Sequence, residues 1–359
     1  MRTWLREEIL RRVLRNAGLL GAGKAAGAIL HLAGLALTAR MLGPVAFGLL
    51  IVLRSYAQAA SGLARFQSWQ TLIRFGAVRA HEGDRAGFRD LAAFTVALDA
   101  ATGLVAALAA ILLAPVFGLW FGVTPESIRL AQLYCVVIPL MASATPTGIL
   151  RLHDRYAKGA VADSVTSVVR IIGSAIAFVV SPTIPAFLLA WAAGELVTAG
   201  VYWFYALQQE RLNLRAVSLT RLPKAEPGAW GFVWGTGLSG TLLIASRQLI
   251  VLLVGAFGGA AMAGIYRVAA QLGEGLLKLA QALLRATYPE LVRDPDQAHH
   301  IARRIGQIAL VTGIATVAVA VLAGHWVLDI IAGPEYRAAY VPMIILSAAA
   351  AVELAGASL

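Results

Sequence analysis

Apolar residues along this chain come in long runs broken by short polar or glycine- and proline-containing joints. The first, 19–42, is a stretch of Leu, Ala, Gly and Ile long enough to cross a bilayer as a helix, which takes about 20 residues. Gly43-Pro44 breaks it. The next run, 45–66, is apolar again but carries Arg54, Gln58, Ser61 and Arg65 at spacings of four, three and four. These spacings put the four on one helical face. Such a stripe belongs inside a helical bundle or a watery cavity, not against lipid.

The same pattern continues. An interfacial helix is expected near 67–78, then spans at about 90–113, 127–150, 158–180, 185–207, 231–255, 262–284, 305–331 and 338–357. That makes ten spans, with joints at Pro115, Ser181-Pro182, Pro185, Gly258-Gly259 and Gly333-Pro334. Residues 1–15 read as a basic amphipathic helix on the cytoplasmic membrane surface. A cleaved signal peptide is the rival there, but the following apolar run is too long for one.

Composition agrees with the pattern. Of 359 residues, 59% are hydrophobic and 14% charged, and mean hydropathy is +0.75. Soluble domains carry about 25% charged residues, so the expected class is an all-α polytopic membrane bundle. The single cysteine, Cys135, excludes an intrachain disulfide or a cysteine-based metal site.

The net charge of +11 could suggest nucleic acid, but its distribution argues for topology. Lys and Arg gather in alternate connections: Arg2 to Arg15, Arg65 to Arg89, Arg151 to Lys158, Arg211 to Lys224 and Arg285 to Arg304. The opposite connections carry Arg337 alone. By the positive-inside rule the N-terminus is cytoplasmic, and no nucleic-acid partner is expected.

An internal repeat adds to this. Arg54, Gln58, Ser61, Gly62 and Arg65 match Arg267, Gln271, Glu274, Gly275 and Lys278 at an offset of 213 residues. Chance similarity between Ala- and Leu-rich helices is the alternative. Taken as a repeat, it implies two parallel six-helix lobes, at 16–207 and 229–359, joined by a basic cytoplasmic linker at 208–228. Ten spans leave the second lobe about two helices short of twelve, so it is expected to be incomplete.

Chemistry is expected from ionisable groups inside the spans. Arg54, Asp99, Arg170, Glu195, Arg247 and Glu274 fall near mid-membrane, with Lys24, Arg267 and Lys278 nearer the ends. A charge at the bilayer centre costs about 2.5–3.5 kcal/mol on insertion scales, so each needs a partner or water. Asp99 or Glu195 could simply neutralise an arginine from another helix, and Glu274 could pair with Lys278 one turn on. Alternatively, Asp99, Glu195 or Glu274 couples transport to an ion. The basic set Lys24, Arg54, Arg170, Arg247, Arg267 and Lys278 would suit an anion, phosphate above all. Gln58, Ser61, Gln271 and Glu274 extend the polar stripes.

Other signals are weak. Asp294-Pro-Asp296 reads as a solvated loop, and His299-His300 beside Arg303-Arg304 as headgroup contact. The sequence has no HExxH, P-loop or GxSxG. Gly23/Gly27 and Gly231/Gly235 permit close helix packing without naming a function.

Three segments carry a resemblance: Ala39-Arg-Met-Leu-Gly43-Pro-Val-Ala-Phe47-Gly48, Leu72-Ile-Arg-Phe-Gly76 and Ala332-Gly-Pro-Glu-Tyr336. With these the chain resembles the polysaccharide biosynthesis membrane proteins that act as lipid-linked oligosaccharide flippases, of O-antigen translocase type. They belong to the multidrug/oligosaccharidyl-lipid/polysaccharide exporter superfamily. The resemblance implies a bilobed bundle, commonly of twelve or more helices, in the bacterial inner membrane. It would move an undecaprenyl-diphosphate-linked glycan outward without a cofactor, with membrane lipids, a glycan polymerase and chain-length proteins as partners. A cavity between lobes would take the headgroup. A drug antiporter of the same superfamily and a membrane glycan polymerase or ligase are the alternatives. The first should prefer an acidic cavity, and the second needs a catalytic loop that the longest external connection, 114–126, does not offer.

Overall fold

The computed structural model describes residues 2–64, 66–212, 226, 228–291 and 298–356. These are helical apart from short connections: α1 (Arg2–Ala64), α2 (Ser68–Glu82), α3 (Arg85–Phe121), α4 (Pro125–Cys135), a 3-10 turn (Ile138–Met141), α5 (Ala144–Leu152), α6 (Tyr156–Val180) and α7 (Ile184–Gln209). There follow α8 (Ala229–Leu291), α9 (Ala298–Ile331), a second 3-10 turn (Pro334–Ala339) and α10 (Tyr340–Gly356). Among the described residues, six stretches are long and apolar enough to cross a membrane: Ile29–Glu82, Arg85–Phe121, Tyr156–Val180, Ile184–Gln209, Gln248–Gly273 and Leu310–Ile331.

α1 and α8 each hold two of the ten expected spans, broken where the sequence placed its joints. α1 and α8 are each 63 residues long and each passes through one non-helical glycine, Gly43 (φ 71°, ψ 171°) and Gly259 (φ 79°, ψ 173°). A positive φ is costly for any residue with a Cβ, so glycine occupies both points. At the first, Pro44 also removes the amide that the Arg40 carbonyl would have accepted. The expected span at 127–150 is instead a bent pair, α4 against Ile138–Leu152 at 46°, with Pro139 and Pro146 at the joint. α10 has 17 residues, at the lower end of the length of a crossing helix. From Arg2 the basic segment is helical and runs on into the first span. The helix expected near 67–78 is α2.

The breaks also bear on the repeat. Gly43 and Gly259 are 216 residues apart, whereas the sequence match pairs residues 213 apart. Counted from the breaks, Arg54 corresponds to Ala270, and Arg267 lies three residues out of register. On a helix that is about 60° around and 4.5 Å along the axis.

The chain forms two compact units, Gly48–Ala263 and the pair of segments Met1–Phe47 with Gly264–Leu359. In the first, large side chains turn outward and small ones inward. Leu104, Leu108 and Leu112 of α3 are exposed, while Ala106, Ala107, Ala110 and Ala114 are buried. This is how a bundle packs when its solvent is lipid, because close contact replaces the hydrophobic effect. Leu91, Phe94 and Leu98 of α3 close on Ala229 and Val233 of α8. Val52, Phe117 and Ala263 form a second cluster with Tyr56 and Phe121.

In the other unit, two of the sequence segments behind the family resemblance meet. The Tyr336 hydroxyl donates to the Ala39 carbonyl at 3.1 Å, and its ring packs edge-on to Phe47 at 6.2 Å. Arg40 donates to the Asp329 carbonyl at 3.0 Å, and Arg337 forks onto the Asp329 carboxylate at 3.0 and 2.8 Å. Gly333, at φ 100°, turns the chain sharply enough to bring Tyr336 back onto the first break.

Candidate functional site

α6 and α7 are an antiparallel hairpin, stopped and restarted around Ser181-Pro182 and Pro185. Their facing sides carry three polar rungs about one turn apart. The Tyr202 hydroxyl donates to Asp163 at 2.7 Å, the hydroxyls of Thr166 and Thr198 share a hydrogen bond at 2.5 Å, and Arg170 donates to Glu195. Small residues let the helices approach closely. A methyl group at Gly173 would lie 2.9 Å from the Ala190 Cβ, and one at Gly194 would lie 3.1 Å from the Arg170 Cγ.

The innermost rung is the core of the site. Arg54, from the half of α1 that follows the Gly43 break, donates to Glu195 Oε1 at 3.0 Å. Arg170 donates to the same oxygen. Both guanidiniums also lie over the Trp191 ring, 5.3 and 5.2 Å from its centroid. Tyr134 of α4 brings its hydroxyl to Arg54. Arg54 and Arg170 are buried, and the Glu195 side chain is 24% exposed. Two guanidiniums against one carboxylate leave one positive charge in a poorly hydrated interior, partly answered by the face of the indole. Such a cluster attracts a further anion, and the arginine forks match phosphate oxygens.

Asp99 lies elsewhere in this unit. Its Oδ1 accepts from the Ser68 hydroxyl, and its Oδ2 from the Thr145 amide at 3.0 Å and the Thr145 hydroxyl at 2.7 Å. Ser68 opens α2 and Thr145 lies in the first turn of α5, so Asp99 ties two helix N-termini together. A carboxylate is favoured there by the amides and the helix dipole.

The other expected positions divide by unit. Gln58 and Ser61 are half-buried on the face that carries Arg54. Arg267 donates to Gln271 at 3.4 Å in the second unit, where Gln271 is buried. Lys24, Arg247, Glu274 and Lys278 lie on helices, but their side chains fall outside the described residues, as do those of His299 and His300; Asp294 and Asp296 lie wholly outside them. The structure thus brings Arg54, Arg170 and Glu195 together and keeps Asp99 apart. Trp191, Tyr134, Thr166, Thr198, Asp163 and Tyr202 are additions. Their signal was present as matching polar spacings of three and four at 163, 166 and 170 and of three and four at 195, 198 and 202.

Far along the hairpin from Glu195, basic residues meet the end of α7. Arg155 donates to Gln209 at 3.3 Å, Lys158 donates to Gln208 at 3.2 Å, and His153 meets Glu210 at 3.2 Å. Arg79 donates to Glu226 at 2.9 Å. Segments that the charge pattern assigns to one membrane side therefore touch one another. Among the described residues, no group of three or more His, Cys, Asp or Glu is placed to hold a metal.

The sequence profile of the family described as "Polysaccharide biosynthesis protein" matches residues 13–293. The chain is 30% identical over 344 residues to the inner membrane protein YghQ of Escherichia coli (strain K12), an alignment covering 94% of this chain and 97% of that one. Among solved structures, an inward-facing multidrug resistance MATE family transporter of the MOP superfamily is similar with a TM-score of 0.60 at 17% identity, over 95% of this chain and 78% of that one. An outward-facing one gives 0.56 at 18% identity over 94% and 81%, and a MATE protein in a bent conformation gives 0.55 at 16% over 98% and 96%. At these identities the likeness establishes the fold, that of a MATE-type transporter.

Proposed function

The chain belongs to the polysaccharide biosynthesis protein family, and from that premise we propose that it is a flippase for an undecaprenyl-diphosphate-linked oligosaccharide. It carries the headgroup from the cytoplasmic to the outer leaflet of the bacterial inner membrane, for O-antigen, capsule or exopolysaccharide synthesis, while the lipid tail stays in the bilayer. The observation that carries this reading is the buried Arg54–Glu195–Arg170 cluster over Trp191. Its excess positive charge suits a diphosphate and repels the cationic drugs that an antiporter exports. Alternating access moves the substrate without making or breaking a covalent bond, so the protein is a transporter and not an enzyme. The N-terminus is cytoplasmic, a placement supported by Arg79 meeting Glu226 and by Arg155 and Lys158 meeting Gln209 and Gln208, all from segments that the charge pattern puts on one side. A glycan polymerase and chain-length proteins take over the product.

Deleting the gene in its host and identifying lipid-linked glycans on the cytoplasmic leaflet tests the reading. Accumulation of one diphosphate-linked oligosaccharide, relieved by the intact gene, is expected. Unchanged surface polysaccharide with no accumulation, together with efflux of cationic dyes, would assign the protein to the antiporters instead.

A further inference from the structure

The geometry at Glu195 points to a proton-linked exchange of anions: we propose that Glu195 is the internal counter-anion of Arg54 and Arg170, and that a bound diphosphate displaces it with the uptake of one proton. This rests on the flippase reading above and specifies the chemistry of the same site. Both guanidiniums donate to one oxygen, Glu195 Oε1, so the carboxylate occupies the place where a phosphate oxygen would sit. The diphosphate of a lipid-linked sugar is a diester with two negative charges, which two guanidiniums neutralise without the carboxylate. A carboxylate left beside that dianion in a poorly hydrated interior would be repelled by it, and the charge is removed by protonation. The proton comes from water and ends on the Glu195 carboxyl; no bond other than O–H forms.

The surroundings fit this exchange. Glu195 faces Arg54 on α1, Arg170 on α6 and the Tyr134 hydroxyl on α4, which also lies within the field of both arginines. Arg54 and Arg170 are therefore cations that hold it. Below it on the hairpin, Thr198 and Thr166 share a hydrogen bond, and Tyr202 donates to Asp163, with Arg151 of α5 near Tyr202. Asp163 is exposed. The rungs thus give the carboxyl polar neighbours along an otherwise apolar helix pair, towards the end where Arg155 and Lys158 lie. Trp191 keeps both guanidiniums in place from the other side while their anion changes.

The test is titration calorimetry on the full chain in lipid nanodiscs, in buffers of different ionisation heat. The probe is a short prenyl-diphosphate-linked monosaccharide, a diester that lacks the ionisation near pH 6 of a phosphate monoester. About one proton taken up per probe bound is expected, with affinity falling about tenfold per pH unit over the range where the exchange operates. In Glu195→Gln the proton count should fall to about zero, and affinity should become independent of pH. Binding to the wild-type chain with no proton uptake at any pH from about 6 to 9 overturns the exchange and leaves the flippase reading intact; this arm needs no variant. Absence of binding, or equal binding by Arg54→Gln and Arg170→Gln chains, overturns the flippase site and the exchange together.

Discussion

Gly48 lies directly against Ala260: a methyl group at Gly48 would come 1.8 Å from the Ala260 carbonyl oxygen. Gly48 follows the break at Gly43 and Ala260 follows the break at Gly259, so the two long helices touch backbone to backbone just past their glycines. Val52, Gly255 and Ala263 continue the contact. The neighbour of Gly48 is backbone, which cannot rotate away, so Gly48→Ala must push the helices apart. Overpacking of this kind costs about 1–3 kcal/mol. A thermal melt in detergent should show Gly48→Ala unfolding several degrees below wild type, and Gly48→Val lower still.

The arginine cluster is asymmetric, and its variants should be too. Removing Arg54 or Arg170 leaves a neutral arginine–glutamate pair, whereas removing Glu195 leaves two buried cations beside each other at the Trp191 ring. Breaking a buried pair so as to strand its charge costs about 3–5 kcal/mol. Glu195→Ala should therefore be clearly less stable than either Arg54→Gln or Arg170→Gln in equilibrium unfolding. The triple change, with both arginines replaced as well, should recover much of the loss.

Asp99 has a different role. It satisfies the first residue of α2 and the first turn of α5, so Asp99→Ala leaves the Thr145 amide and two hydroxyls without their acceptor. Each unmet buried donor costs about 1–3 kcal/mol. The expected result is lower yield and lower melting temperature. Transport per folded molecule should stay near wild type, as measured by flipping normalised to folded protein.

At the first break, Tyr336→Phe removes only the hydroxyl that bonds the Ala39 carbonyl, and should cost about 1 kcal/mol. Gly43→Ala forces a Cβ into a left-handed backbone conformation, about 1–2 kcal/mol. It also places that Cβ 3.2 Å from Glu335. Hydrogen exchange at 36–47 should rise in both variants, and more in Gly43→Ala.

Much of this was legible in the chain because glycine, proline and charge act locally. Gly43-Pro44 and Gly258-Gly259 mark the breaks without reference to any neighbour, and charges inside apolar runs pointed to Arg54, Arg170 and Glu195. Periodicity identifies a face and not the residue opposite it. For that reason the shared Glu195 oxygen, the Trp191 ring and the Thr166–Thr198 rung emerged only once α6 and α7 were paired. The bent pair within 127–150 was missed for a related reason. Its hydropathy is continuous, and only the positions of Pro139 and Pro146 disclose that the helix cannot be. Asp99 looked like its fellow acid Glu195 in sequence; what separates them is that Asp99 meets helix N-termini and Glu195 meets guanidiniums.

The central claim is that Arg54 and Arg170 bind the diphosphate of a lipid-linked glycan in transit. Reconstituting the wild-type, Arg54→Gln and Arg170→Gln chains into vesicles with a fluorescent undecaprenyl-diphosphate-linked oligosaccharide, and measuring its rate of transfer between leaflets, tests this most directly. Losing one charge-assisted arginine–phosphate contact, worth about 1.5–3 kcal/mol, should slow transfer roughly 10- to 100-fold in each variant. Transfer by folded Arg54→Gln and Arg170→Gln chains at the wild-type rate would contradict it.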